Sequence, residues 1–115
     1  MEKQINAVNL PAYPGDLFVP IPDEEFRRML TQNMKIPVQN GGVYYKQIKQ
    51  VTVVDVSKEY RYFGPKIASL SGIEYFTNLE ILSCSYNSLS TLDLFNNVKL
   101  KKLHCPRNSL IRLNV

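Results

Sequence analysis

From Leu79 onward the apolar residues fall in a frame that repeats. Setting residues 79–99 over 100–115 pairs Leu79 with Leu100, Leu82 with Leu103, Cys84 with Cys105, Asn87 with Asn108, Leu89 with Leu110, Leu92 with Leu113 and Leu94 with Val115. The offset is 21 residues throughout, and the shared frame is L-x-x-L-x-C-x-x-N-x-L-x-x-L-x-L. Its L-x-C segment alternates with period two, which predicts a short strand with Leu and Cys pointing inward and the x residues outward. The asparagine suits a turn, because its amide can bond the backbone inside the bend, and stacked coils place one such asparagine over the next.

An earlier coil is visible once an insertion is allowed. "VTVVDVS" supplies Val51, Val54 and Val56 at the Leu, Leu and Cys positions, and "KIASL" supplies Ile67 and Leu70 where Leu89 and Leu92 fall later. Val56 to Ile67 spans eleven positions where Cys84 to Leu89 spans five, so about six residues around "EYRYFGP" are inserted, within 58–66. "SGIEYFTNL" then carries Ile73, Phe76 and Leu79 along a return path. A period of this length is the short end of the leucine-rich-repeat range.

The N-terminal pattern is of another kind. Residues 1–20, proline-rich in "NLPAYPGDLFVPIP", predict an extended irregular lead-in. Residues 21–50 predict two helices. In "PDEEFRRMLTQN", Asp23 is placed to cap, Glu24 and Glu25 suit the first turn, and Phe26, Met29 and Leu30 share a face. A shorter helix is expected over Tyr44 to Gln50, after a break at Gly41 and Gly42. The expected fold is therefore α/β: about three leucine-rich coils over 51–115 with a short parallel sheet, capped by a two-helix segment that covers the apolar slice and strand edge of the first coil.

The residues resemble a known group, the short bacterial leucine-rich-repeat proteins of cell surfaces. "LEILSCSYNSLSTLDLFNN" follows the group's repeat, "IPDEEFRRML" is similar to its opening I-P-D-x-x-F-R-x-x-L, and "SLSGIEYFTNLEIL" resembles the first repeat of internalin-like proteins. The resemblance covers roughly residues 20–115 and implies a scaffold whose ligand differs from protein to protein. It implies a cell-surface or secreted setting, although the first residues carry no apolar signal segment. In the group the loop between the cap helices is often calcium-binding, D-x-D-G-D-G-x-I-S-x-x-E. Here Val43 falls at the loop's Ile and Gly41 at its turn Gly, while Ile36, Val38, Asn40 and Gln47 occupy the main ligand positions. Without carboxylates the loop is expected to bind no calcium and to be held by packing.

Composition narrows the chemistry. A chain of 115 residues with 44% hydrophobic content supports one modest core and no membrane span. The formal charge of +4 is spread among interspersed acids and bases, except that Lys99, Lys101, Lys102, Arg107 and Arg112 follow the last carboxylate side chain, Asp93. Two cysteines and one histidine make neither a disulfide framework nor a zinc site, so no metal and no cofactor is expected. Cys84 and Cys105 are expected as reduced, buried, core-filling thiols.

The outward strand positions form columns: Val53, Ile81, Lys102; then Asp55, Ser83, His104; then Ser57, Ser85, Pro106. The middle column holds the residue types of a catalytic triad, but in the order Asp, Ser, His. The carboxylate would stand two strands from the imidazole it should orient, and no enzyme is expected. The functional lead is the insertion, where Tyr60, Arg61, Tyr62 and Phe63 combine aromatics with a guanidinium, beside Ser83, Ser85, Lys102 and His104. Phe63 and one tyrosine folding back over the junction between cap and coils is the alternative role. A protein-binding or adhesion module follows, with binding of nucleic acid or an anionic glycan through the basic C-terminal coil as the second reading. A third coil left uncovered at Leu103, Leu110 and Leu113 leads to expected self-association through that end.

Overall fold

The structure, a computed structural model, describes residues 13–115. The elements in chain order are β1 (Phe18–Pro20), α1 (Glu24–Met34), β2 (Gly42–Tyr44), α2 (Tyr45–Ile48), β3 (Val53–Asp55), a 3-10 turn (Ile73–Tyr75), β4 (Ile81–Ser83), β5 (Thr91–Asp93), β6 (Lys102–His104) and β7 (Arg112–Asn114).

Helix α1 begins as the sequence dictates. Asp23 is extended, and its Oδ1 accepts from the Phe26 N–H at 2.9 Å. Its other oxygen reaches out of the helix to accept from the N–H groups of Ala68 and Ser69, at 2.9 and 3.0 Å. One carboxylate thus caps the helix and ties it to the first coil. The helix ends at Lys35, left-handed at φ 59°, whose N–H returns to the Leu30 carbonyl. Phe26, Met29 and Leu30 are buried, with Phe26 stacked on Phe76 of the coils at 6.4 Å.

Beyond α1 the segment differs from expectation. Residues 1–12 of the expected lead-in lie outside the described residues, and 13–17 are turn and loop, but its end is a strand: β1 pairs antiparallel with β2, and Val19 is buried opposite Val43. Just ahead of β2, after α1, the chain reverses at Asn40 and Gly41, both left-handed at φ 54° and 80°, with Gln39 and Gly42 exchanging N–H···O bonds of 2.9 and 3.0 Å. This is the two-residue Asn-Gly hairpin turn, whose twist matches that of paired strands. Gly42 is in β2, where a Cβ would sit 2.2 Å from the Val19 carbonyl oxygen. The second helix is only Tyr45–Ile48, because the chain must leave it to place Val54 in the sheet.

Strands β3, β4 and β6 form a parallel sheet in that order, with Val54, Leu82 and Leu103 in register. The asparagines bridge coils. Asn87 accepts from the Ile67 N–H (3.0 Å) and donates to the carbonyls of Val56 (2.9 Å) and Cys84 (3.2 Å). Asn108 accepts from Leu89 (3.0 Å) and donates to Cys84 (2.8 Å) and Cys105 (3.2 Å). The Cys84 carbonyl is the shared rung. A second parallel pair, β5 with β7, holds the L-x-L ends of two repeats, a pairing that short alternation alone does not announce. On the return path Asn97 donates to the carbonyls of Ile73 and Phe76, at 2.9 and 3.2 Å. Among the described residues no helix is long and apolar enough to cross a membrane.

Candidate interaction surface

The three strands bring the expected columns into register: Val53, Ile81 and Lys102, then Asp55, Ser83 and His104. Val53, Asp55, Lys102 and His104 are exposed, and Ile81 and Ser83 half-buried. Asp55 lies two strands from His104, and its Oδ1 is taken by the Ser57 N–H at 3.1 Å, so the column makes no triad geometry. Ser85 corrects the outward assignment of the third column. It is buried, because the chain is already turning there, and its N–H donates to the Ser57 hydroxyl at 3.0 Å.

The inserted loop turns through Tyr60 and Arg61, closed by the Tyr62 N–H donating to the Glu59 carbonyl at 3.0 Å. Arg61 is left-handed at φ 71°, a conformation that costs a side-chain-bearing residue about 1–2 kcal/mol. Tyr60 is 67% and Phe63 93% exposed. The Arg61 guanidinium lies 5.4 Å from the Tyr60 ring centroid, and Tyr60 meets Tyr86 edge to face at 5.9 Å. Tyr62 is the aromatic that folds back, its ring 4.7 Å from the Lys58 ammonium, while Phe63 points away.

Lys58 anchors this loop. Its buried ammonium bonds the carboxylate of Glu25 on α1 and touches Met29 Sδ at 3.3 Å. Arg28 holds the same carboxylate, with Nε on Oε1 at 2.7 Å. The Arg28 hydrogen bonds hold the Glu25 carboxyl below the usual range, helped by Lys58 and opposed by burial. A buried lysine inside an exposed loop is a signal that periodicity does not carry, and the sequence reading missed it. It also passed over Tyr86, half-buried at φ 58°, and did not place Arg107 on this rim, exposed at φ 62°. Each immediately precedes a bridging asparagine, and that is the cue that finds them.

Elsewhere the chemistry is quieter. Cys84 is fully buried, its thiol pushed up to about 12 by burial and by the neighbouring Cys105. Both cysteines are free thiols, but Cys105 is only half-buried, since among the described residues no strand follows β6 in the sheet. In the calcium-like loop Ile36 is buried, Asn40 sits in the hairpin turn, and the Gln47 amide oxygen is occupied by the Tyr44 N–H at 3.0 Å. Among the described residues no group of three or more His, Cys, Asp or Glu could hold a metal ion. Of the basic C-terminal residues, Lys99 donates to the Asn78 side chain (2.6 Å) and Lys101 pairs with Glu80 (3.0 Å), leaving Lys102, Arg107 and Arg112 exposed.

Register, bridging asparagines and parallel pairs together define a leucine-rich-repeat-like α/β fold. Solved structures bear this out. The chain is similar to an internalin (inlF) from Listeria monocytogenes, at 27% identity and a TM-score of 0.63 over 84% of this chain and 32% of that one. It is likewise similar to internalin C2 (inlC2) of the same species, at 17% identity and a TM-score of 0.61, covering 84% of this chain and 42% of that one. A structure of the CBM51-2 and INT domains of Clostridium perfringens ZmpB matches at 21% identity and a TM-score of 0.62, covering 84% of this chain and 19% of that one. The chain thus spans less than half the length of each of these structures. No family model and no curated protein matches it.

Proposed function

We propose that the chain is a non-enzymatic protein-binding or adhesion-type module, a solenoid of about three leucine-rich coils with an N-terminal helical cap, working without cofactor or metal. The carrying observation is the inserted loop. Tyr60 and Phe63 stand exposed on a turn that Lys58 and Glu25 clamp from beneath, and rigid exposed aromatics lose little entropy on binding. Arg61, Tyr62, Ser83, Lys102 and His104 complete the surface, whereas burial removes Ser85 from it. The likeness to internalins supports a cell-surface or secreted setting.

The second reading, a polyanion on the basic coil, is weaker because Lys99 is bonded to Asn78 and the exposed Lys101 is paired with the carboxylate of Glu80, which puts a negative charge on that face. A displayed library of peptides and small domains, selected on the wild type and on a Tyr60→Ala/Phe63→Ala variant, tests the first. Binders that lose at least tenfold on the variant are expected. Binders indifferent to it, or none, would overturn the assignment, and binding that weakens steeply with salt on both proteins would favour the polyanion.

A further inference from the structure

The rim beside the sheet carries an ordered set of side chains that the repeat itself produces. Tyr86 and Arg107 occupy the same position of successive repeats, 21 residues apart. Each precedes an asparagine whose amide bonds the turn, and each is left-handed, so the turn that builds the ladder also fixes where these side chains leave the backbone. Tyr86 N–H donates to the Pro106 carbonyl at 3.1 Å, which sets the two turns side by side. From the inserted loop, Tyr60 packs on Tyr86 and Arg61 on Tyr60. Arg61, Tyr60 and Tyr86 are thus in contact in that order, and Arg107 leaves the turn next to that of Tyr86.

One guanidinium therefore lies on the tyrosine pair, and a second is carried by the adjoining turn. Among the described residues the ion pairs are Arg28 and Lys58 with Glu25 and Lys101 with Glu80, so neither rim arginine is neutralised. Stacking on a ring face leaves the N–H edge of a guanidinium free, and that edge is shaped to take a carboxylate with two parallel hydrogen bonds. With coils about 4.8 Å apart, the two guanidiniums stand on the order of 10–15 Å from one another. An extended peptide advances about 3.1–3.4 Å per residue, so three to five residues cover that span.

We propose that this rim takes an extended acidic peptide segment: two carboxylates three to five residues apart fork onto Arg61 and Arg107, and a proline or apolar residue between them lies on the Tyr60–Tyr86 pair. The proposal rests on the protein-binding reading of the same loop. A dense polyanion fits less well. The tyrosines interrupt the cationic track, and the exposed acids Asp55 and Glu59 lie beside it, where they repel continuous negative charge more than two spaced carboxylates.

Three probes decide it, each titrated into isotopically labelled 115-residue protein at fixed ionic strength: acetyl-Glu-Pro-Leu-Pro-Glu-amide, the same peptide with glutamine for glutamate, and a sulfated tetrasaccharide. The acidic peptide is expected to give saturable amide shifts at Tyr60, Arg61, Tyr86 and Arg107, with the glutamine peptide at least tenfold weaker. Arg61→Gln and Arg107→Gln, both exposed and checked for unchanged melting, should each weaken the acidic peptide at least fivefold and leave the glutamine peptide unaffected. Equal binding of the two peptides would overturn the carboxylate fork while leaving the protein-binding reading intact. No shifts from either peptide would overturn the proposal and leave that reading to the library selection. Tighter binding of the tetrasaccharide would overturn both in favour of the polyanion.

Discussion

Asn87 shows what a single side chain contributes at the residue scale. It is buried, and removing it strands the Ile67 N–H and the Val56 carbonyl away from water. Each such group costs about 1–3 kcal/mol when left unmade. Asn87→Ala is therefore expected to lower unfolding free energy by about 3 kcal/mol or more in urea denaturation. Asn108 makes the same bonds from a half-buried position where water can replace the amide, so Asn108→Ala should lose about 1 kcal/mol. Equal losses at the two sites would show that burial does not set the energetics of the ladder.

Between elements, helix α1 and the inserted loop are coupled through one carboxylate. Glu25 titrates below its ordinary value of 4.5, chiefly because Arg28 bonds its charged form. A carboxyl depressed by folding adds stability above its unfolded pKa and loses it as pH falls through the folded one. The denaturation midpoint should thus be level from pH 7 to about 5 and fall below about 4, with part of the fall absent in Glu25→Gln. At pH 7 that substitution leaves the Lys58 ammonium buried without its carboxylate, a loss of about 3–5 kcal/mol. Glu25→Gln/Lys58→Met should recover most of it, since Lys58 already packs against Met29 and Tyr62. A double variant as unstable as the single one would mean that the ion pair is not what joins helix and loop.

For the whole molecule, the face beyond β6 and β7 is not covered by another strand among the described residues. Leu103, Leu113 and Val115, with Lys101 and Lys102 around them, line a groove of about 420 Å³. Among the described residues β6 has a neighbouring strand only in β4, and β7 only in β5. Apolar side chains beside unpaired strand edges favour pairing with a like edge. The 115-residue chain is expected to self-associate reversibly through this face in sedimentation equilibrium, and Leu113→Lys should shift it toward monomer. A wild-type monomer at high concentration, or a Leu113→Lys variant that associates equally, would count against this face.

The amino-acid order determined whatever depends on local spacing. The 21-residue frame specified the β4–β6 register and the bridging of neighbouring coils by Asn87 and Asn108, and β3 entered the same register once the inserted loop was allowed for, because a period-two strand and a turn asparagine are written in neighbouring residues. Asp23 could be read as a cap for the same reason. Long-range contact decided the rest. Phe18–Pro20, in a proline-rich stretch, became β1 only because β2 lay within reach. Ser85 left the open face because the coil turns beneath it, and Cys105 kept part of its surface because burial needs a neighbour on both sides. The second oxygen of Asp23, the ammonium of Lys58 and the ring of Tyr86 found partners 45, 33 and 26 positions away. No spacing rule reaches that far, since such pairs exist only after hydrophobic burial has folded the chain back on itself.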